Sequence, residues 1–310
     1  MSGAVRALCV GVHVLDVLVR PVEAIPKGQG GQLVDEIKII AAGSAGGTAI
    51  PLAKLGAEVR SAGAIGRDAA GEMLTRLLER GGVDTSLLVR RDEAQTSASV
   101  LPIRPSGERP ALHVVGANAT YGPDDLPVEA FEWATHLHLG GPEFMGGEAA
   151  TSMLAAARQR GVVTSADVLA PGEMAVLDWI APALTALDYF LPNEEQILGF
   201  TGADDLAAGC EALLERGAGC VAATCGSQGA LVVDASGAER VPAFDVDVVD
   251  TTGCGDAFSA GFLRGLASGS SPTAAARLGC AAAGLVAAGL GSDYGDFTLG
   301  DVEALVAQSA

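Results

Sequence analysis

Apolar runs and amphipathic segments alternate along most of the chain. Short runs rich in Val, Leu, Ile and Ala predict buried strands, and apolar residues spaced three or four apart predict helices between them. From Trp133 onward the alternation is regular, with predicted strands at 135–139, 162–167, 189–191, 220–224 and 229–233 and predicted helices at 148–159, 194–198, 204–216 and 272–288. This alternation is typical of a parallel sheet that helices cover on both faces.

The N-terminal part begins with the same pattern. It predicts a strand over 7–19, a strand over 33–40, a glycine-rich loop at 42–47, a helix over 48–55, a strand over 58–65 and a helix over 71–80. Asp16 is an acid inside the otherwise apolar first run. Because a buried charge is costly without a partner, we expect Asp16 to face a partner or a site.

Residues 96–115 do not follow the strand–helix alternation. Two apolar runs, 97–103 and 111–115, flank a polar turn at 105–108 and predict a hairpin. With the segment 32–40, this hairpin would form a small separate sheet. One apolar face of such a sheet needs a cover, which the main domain, a ligand or a second subunit could provide.

The segment 248–263 is the strongest candidate for chemistry. A valine-rich strand end leads into a loop with Gly253 and Gly255, and Phe258 and Phe262 then mark the buried face of a helix. Glycine lets a ligand approach the backbone, and the first amides of a helix lack internal partners, so the loop predicts an anion site. Asp256 is either the N-cap of this helix or a general base beside a phosphoryl group.

Composition narrows the class of protein. The chain has 310 residues, a net charge of −19 and a pI near 4.4, which argue against nucleic acid as a partner. Its six cysteines are scattered without a C-x-x-C pair, as expected for reduced thiols in a cytoplasmic protein. The longest apolar stretch near the C-terminus, 280–290, is too short to cross a bilayer, so no membrane partner is expected.

Five motifs in order resemble the ribokinase family of carbohydrate and nucleoside kinases, also called the pfkB family. Residues 250–256 read Asp-Thr-Thr-Gly-Cys-Gly-Asp and match the D-T-x-G-A-G-D signature of the family apart from Cys254. Supporting matches lie at 42–47, 116–119, 192–195 and 224–229. The resemblance implies a single α/β domain over 1–310, a three-layer α/β/α sandwich with a mainly parallel central sheet. It also implies a small β-sheet lid from about 14–41 and 96–116.

The resemblance further implies ATP-dependent phosphorylation of a hydroxyl on a sugar or nucleoside. Asp256 would be the catalytic base, and the amides of Gly253, Cys254 and Gly255 would form the anion hole. The implied substrate contacts are Asp16, Gly43, Gly47, Gly141 and Asp256; the implied ATP contacts are Asn193, Thr224, Gly226, Gly229, Gly253 and Gly255. Asn193 and Glu195 would hold Mg²⁺ through water, and main-chain oxygens of Asp250 and Thr252 would hold a monovalent cation, usually K⁺.

Besides Cys254, three positions depart from the family pattern. Gln196 replaces the glutamate of the N-x-x-E motif, Gly47 replaces a substrate-binding asparagine, and Gly141 replaces an acidic contact. The two glycines argue against ribose itself and favour a bulkier substrate. Three hypotheses therefore stand: a sugar kinase, an adenosine-like nucleoside kinase, and a catalytically weak ligand-binding relative.

Four further residues and one surface receive sequence-based interpretations. His113, on the hairpin, is interpreted as a solvated strand residue, with a substrate-facing role as the alternative. His136 and His138 are interpreted as a strand end rather than a metal site, because no third ligand follows them. A redox role for Cys254 is a minor hypothesis. The apolar face of the lid suggests a homodimer.

Overall fold

The computed structural model describes residues 5–308, which form two sheets and ten helices within that range. In chain order the strands are β1 (Arg6–Gly11), β2 (Val14–Arg20), β3 (Glu36–Ala42), β4 (Glu58–Gly66), β5 (Val83–Arg91), β6 (Ala98–Pro102), β7 (Leu112–Val114), β8 (His136–Gly140), β9 (Val163–Asp167), β10 (Tyr189–Phe190), β11 (Cys220–Thr224), β12 (Ala230–Asp234) and β13 (Gly237–Val241). The helices are α1 (Ser44–Lys54), α2 (Ala69–Arg80), α3 (Val128–Trp133), α4 (Gly147–Arg158), α5 (Met174–Leu184), α6 (Glu194–Thr201), α7 (Leu206–Glu215), α8 (Cys254–Ala267), α9 (Pro272–Ala287) and α10 (Leu299–Gln308).

The larger sheet has the strand order β13-β12-β11-β10-β9-β8-β1-β4-β5. All pairs from β11 to β5 are parallel, and β12 and β13 add an antiparallel edge. The predicted α/β class with a mainly parallel sheet is confirmed. Because the parallel strands point the same way, the loops after their carboxyl ends meet at one edge, where open sheets bind ligands.

Two hydrophobic cores, one on each face, make the sheet the middle of three layers. One core includes Phe190 and Phe200 and packs α4 to α7 on the sheet, and the other includes Phe258 and Phe262 and packs α1, α2, α8, α9 and α10. Strands that are apolar along their whole length fit this burial from both sides.

The predicted continuous strand over 7–19 is wrong, because the chain leaves the large sheet after Gly11. β1 lies in the large sheet, and β2 belongs to the small one. Gly11 has a φ of 114°, and a Cβ at this position would collide with the carbonyl oxygen of Gly140 in β8. Both halves of the run are buried, so their composition gave no sign of the break.

The small sheet, which we call the lid, has the order β3-β2-β6-β7. The predicted hairpin is confirmed, since β6 and β7 pair antiparallel, and β2 joins β3 antiparallel and β6 in parallel. One lid face exposes apolar side chains, those of Ile37, Ile39, Val100 and Leu112. β3 begins later than predicted, and Leu33 is 99% exposed.

Several elements were absent from the sequence prediction. These are β5, β13, α3, α5 and α10. α1 begins at Ser44 rather than at residue 48, so Gly46 and Gly47 of the predicted loop lie in the first turn of the helix and Gly43 is its N-cap. Within residues 5–308, no helix combines the length and apolar character needed to cross a membrane.

Candidate active site

The loop before α8 is shaped by Gly253, which caps the helix with a φ of 78°. A side chain there would be strained in this left-handed conformation, and its Cβ would collide with Ser292. The amides of Cys254, Gly255 and Asp256 follow as the first turn of α8, where backbone amides lack helical acceptors. Gly255 faces open space. These amides can therefore bind an anion at the positive end of the helix dipole.

Asp256 is not the N-cap of α8, because Gly253 occupies that position. Its half-buried carboxyl lies against Gly47 in α1, so closely that a Cβ on Gly47 would collide with Oδ2 of Asp256. Burial, followed by the charges of Asp167 and Asp16, raises the pKa of Asp256 well above its ordinary value. A raised pKa suits a carboxylate that must accept a proton from a hydroxyl.

One side of this helix start opens into a cavity of about 590 Å³. The predicted nucleotide residues Thr224, Gly226 and Gly229 line it together with Cys254 and Gly255 of the loop. The rest of its wall is largely apolar, formed by Ala243, Phe244, Val246, Val248, Phe258, Ala283, Gly284 and Ala287 among others. The cavity thus combines apolar walls, which suit a flat ring, with helix amides, which suit phosphates.

Asn193 stands beside this cavity rather than in its wall. Its backbone forms an isolated parallel bridge with Thr224, and its Oδ1 accepts a 2.8 Å hydrogen bond from the amide of Gln196. Glu194 and Glu195 are exposed, and Glu194 is near enough to Cys225 to raise the pKa of its thiol, after burial. The described residues contain no cluster of three His, Cys, Asp or Glu side chains suited to a metal.

Gln196 is a buried structural residue whose amide is fully used. Its Oε1 accepts from the amide of Asn193 at 2.9 Å, which completes a capping box at the start of α6. Its Nε2 donates to the carbonyl oxygens of Val168 and Ala170 at 2.9 and 3.0 Å. A carboxylate could keep the first bond but would place negative charge on two carbonyl oxygens. Gln196 therefore fixes the loop after β9.

A second cavity, of about 290 Å³, lies under the lid. Asp16 and Gly43, two predicted substrate residues, line it with Ser99 and His113 of the hairpin. Its other walls are Val14, Ala111, Phe144, Leu169 and Ala170, so no lysine or arginine of the described chain lines it. This cavity suits a neutral ligand with an apolar part more than a second phosphate.

Asp16 is the polar centre of this cavity. Its Oδ1 is buried and has no partner in the described structure, and burial raises its pKa to about 6, with Ser99 as a hydrogen-bond partner that opposes the rise. The hydroxyl of Ser99 lies 2.9 Å from Nδ1 of His113. His113 is an exposed residue of β7, as the interpretation of a solvated strand residue has it, and it also lines the cavity. Oδ1 of Asp16 is free to accept from a ligand hydroxyl.

Gly141 does not reach the second cavity. It has a φ of 74°, its amide donates to the carbonyl oxygen of Asp167 at 3.0 Å, and a Cβ there would approach Val12 and Phe144. Gly47 instead contacts Asp256. The two predicted substrate glycines thus serve close backbone packing.

The side chains of Asp250, Thr252 and Cys254 also make contacts that the sequence did not predict. The side chains of Asp250 and Thr252 bind the guanidinium of Arg109, a lid residue that sequence reasoning missed. The thiol of Cys254 donates to the carbonyl oxygen of Ala283 in α9, and burial raises its pKa to about 11. A thiol held in this state makes a poor redox switch. The backbone amide of Cys254 donates to the carbonyl oxygen of Thr251 at 3.3 Å.

His136 and His138 lie buried in β8 as the sequence interpretation has them. Nδ1 of His138 is 2.9 Å from Oγ of Ser165, and Nδ1 of His136 is 2.9 Å from Oγ1 of Thr135. Both rings are thereby held by hydroxyl groups of the strands.

We predict that Gln196→Glu lowers the free energy of unfolding at pH 7 by about 1–3 kcal/mol, because the carboxylate faces two carbonyl oxygens. Thermal unfolding at pH 7 and pH 4 checks this, and the loss should shrink at pH 4, where protonated glutamate can donate again. Glu195→Gln, an exposed neighbour, is the matched control and should leave stability nearly unchanged. Equal stability of Gln196→Glu and wild type at pH 7 would contradict the assigned role.

Comparison with known proteins identifies relatives along nearly the whole chain. The pfkB family carbohydrate kinase model matches residues 6–296. The chain is 31% identical over 259 residues to the ATP-dependent ribose-1-phosphate kinase of Halopiger xanaduensis, with 84% of each chain covered. It is 30% identical over 230 residues to the aminoimidazole riboside kinase of Salmonella typhimurium, covering 71% of this chain and 72% of that one.

Solved structures give the same fold. A putative ribokinase from Agrobacterium tumefaciens superposes with a TM-score of 0.87 at 26% identity, covering 99% of each chain. The Arabidopsis thaliana ribokinase complexed with ribose and ATP gives 0.84 at 23% identity, covering 98% of this chain and 99% of that one. The ribokinase-like fold is thereby confirmed. The chain is a kinase and belongs to the pfkB family of carbohydrate kinases.

Proposed function

We propose that this kinase transfers the terminal phosphoryl group of ATP to a hydroxyl of a ribosyl compound with a neutral ring substituent, such as a nucleoside. The position of Asp256 carries the proposal: its carboxyl belongs to the helix whose first amides face the 590 Å³ cavity, and it feels the charge of Asp16, which lines the 290 Å³ cavity. A base between a phosphate site and a hydroxyl site is what phosphoryl transfer to an alcohol needs.

In the proposed reaction ATP occupies the larger cavity, with its phosphates on the amides of Gly253, Cys254 and Gly255. The acceptor oxygen attacks the terminal phosphorus, the bond from that phosphorus to the bridging oxygen breaks, and ADP leaves with the electron pair. The proton of the attacking hydroxyl passes to the carboxylate of Asp256. The helix amides stabilise the negative charge on the transferred oxygens.

The neutral acceptor is favoured by the walls of the smaller cavity. Asp16 offers an acceptor oxygen to substrate hydroxyls, and Phe144 and Leu169 offer apolar surface to a ring. Because a hydroxyl has one proton, a Ser99 hydroxyl that donates to Asp16 must accept its other hydrogen bond from Nδ1–H of His113. Nε2 of His113 then carries no proton and is a further acceptor. The relative named a riboside kinase supports this class of acceptor.

The residues around the phosphate site fit the Mg²⁺ expected with ATP. Mg²⁺ usually keeps several waters and takes few protein ligands, and the exposed Asn193, Glu194 and Glu195 can reach it through water. Mg²⁺ would neutralise charge on the phosphates. A monovalent cation on the main-chain oxygens of Asp250 and Thr252 stays part of the proposal, although Arg109 already places a positive charge there.

We predict that Asp256→Asn lowers kcat by about 10²–10⁴-fold, because an amide cannot take up the proton of the attacking hydroxyl. The folded variant should be at least as stable as wild type at pH 8. The pKa of Asp256 is higher in the folded protein than in the unfolded chain, so the free energy of unfolding of the wild type falls as pH rises from the ordinary pKa toward the raised one. The asparagine variant has no such loss, because its amide does not ionise. Steady-state kinetics and thermal unfolding check both effects.

Asp204→Asn, an exposed aspartate on the surface, is the control for Asp256→Asn. It should leave kcat unchanged. Turnover of Asp256→Asn close to that of wild type would overturn the base assignment.

We predict that a panel with ATP and Mg²⁺ gives the highest kcat/KM on neutral ribosides such as adenosine and aminoimidazole riboside. Ribose-1-phosphate should be at least about tenfold poorer, since the small cavity lacks a lysine or arginine for a second phosphate. Ribose and fructose should also be poorer, because they lack a ring substituent to contact Phe144 and Leu169. A preference for ribose-1-phosphate, the substrate named for one relative, would overturn the neutral-acceptor proposal. Ligand binding without any turnover would instead support a catalytically weak binding protein.

We predict a homodimer through the exposed apolar face of the lid, formed by Ile37, Ile39, Val100 and Leu112. Burial of this face from water would stabilise the association. Light scattering should give twice the chain mass for wild type and a single chain mass for Leu112→Glu. Met73→Glu, on an exposed part of α2, is the control and should stay dimeric. A monomeric wild type would exclude the dimer.

A further inference from the structure

Arg109 joins the lid to the loop before the anion hole. It lies just after the turn of the β6–β7 hairpin, 141 positions before Asp250 in the chain. Its Nη1 donates to Oδ1 of Asp250 at 3.0 Å and to Oγ1 of Thr252 at 2.7 Å. Thr252 directly precedes Gly253, the cap of α8. A displacement of the hairpin would therefore act directly on this loop.

The Asp250 carboxylate is the centre of the loop. Its side chain is only 4% exposed, and its Oδ1 also accepts from the amide and the hydroxyl of Thr252 at 3.1 and 2.9 Å. Its Oδ2 accepts from the amide of Gly291 at 3.0 Å, beside the Ser292 against which Gly253 packs. The carboxylate thus fixes both segments that shape the anion hole.

Arg109 supplies the countercharge of this buried carboxylate. A buried ion pair gives little net stability, but removal of one partner leaves an uncompensated charge and is strongly destabilising. The loop therefore depends on a residue that the lid provides. The guanidinium is itself 29% exposed and is engaged by Asp250 and Thr252, so it acts through the loop.

A second cation of the lid binds the neighbouring segment 290–293. Lys38, in β3, donates from Nζ to the carbonyl oxygen of Leu290 at 2.7 Å and to Oδ1 of Asp293 at 2.6 Å. These residues flank Gly291 and Ser292, the partners of Asp250 and Gly253. The lid thus holds both segments around the anion hole with positive charge.

We propose that Arg109 is a positioning residue that couples enclosure of the acceptor to formation of the anion hole. With the hairpin in place, Arg109 neutralises Asp250 and the loop holds the Gly253–Asp256 amides in position for the phosphoryl group. With the hairpin displaced, Asp250 loses its countercharge and the loop loosens. This rests on the proposed phosphoryl transfer, and it would disfavour transfer to water when no acceptor is enclosed.

Arg109→Gln, compared with Arg104→Gln, tests the proposal. Arg104 lies on the same hairpin but pairs with the exposed Glu108, so it controls for loss of a lid charge. Hydrogen exchange of the 250–258 backbone, measured on the whole protein with and without ATP and Mg²⁺, needs no acceptor. We expect exchange in Arg109→Gln to rise about tenfold or more, as for loss of about 1.4 kcal/mol of local stability, and to stay near wild type in Arg104→Gln.

Kinetics with the best acceptor of the panel provide the second measurement. We expect kcat of Arg109→Gln to fall at least about tenfold with a much smaller change in the KM for the acceptor. The reason is that Arg109 helps to stabilise the transition state and does not contact the bound acceptor. Arg109→Lys keeps the charge and should restore part of kcat; it also serves if Arg109→Gln fails to fold.

Unchanged exchange in Arg109→Gln would overturn the proposal, and so would faster exchange with wild-type kcat. Because exchange is measured without an acceptor, a panel with no turnover would defeat the proposed function and leave the coupling of lid and loop testable.

Discussion

The contact between Asp256 and Gly47 is the constraint on which the site depends. It requires the first turns of α1 and α8 to approach until a carboxyl touches backbone, which a side chain at residue 47 would prevent in this arrangement. The same approach removes water from the carboxyl and raises its pKa. Gly47 first looked like a lost substrate contact. In the structure its missing side chain makes room for the carboxyl of Asp256.

The polar side chains around the site differ in whether their atoms are free or are bonded to the backbone. Asp16 keeps a carboxyl oxygen without a partner beside the small cavity, whereas Gln196 and Asp250 use their polar atoms on the backbone of neighbouring loops. This division explains why a glutamine can stand at the position of a family glutamate. Its two donor bonds hold the loop after β9, which supplies Leu169 and Ala170 to the small cavity.

The lid contacts more of the protein than the small cavity that it lines. Its inner side provides Asp16, Ser99 and His113 to the small cavity, and its edges provide Arg109 and Lys38 to the segments around α8. The same small sheet therefore contacts both the small cavity and the segments around the start of α8. Its outer side carries exposed isoleucine, valine and leucine side chains, which fit a contact with a second copy.

The sequence by itself determined the fold class, the strand–loop–helix at 248–263 and the lid hairpin, because these depend on short-range periodicity and glycine spacing. It misplaced the end of the first strand, since both β1 and β2 are buried and look alike. Tertiary structure alone decided the pairing of Arg109 with Asp250, the contact of Gly47 with Asp256 and the place of His113. These contacts join residues far apart in the chain, and only packing brings such residues together.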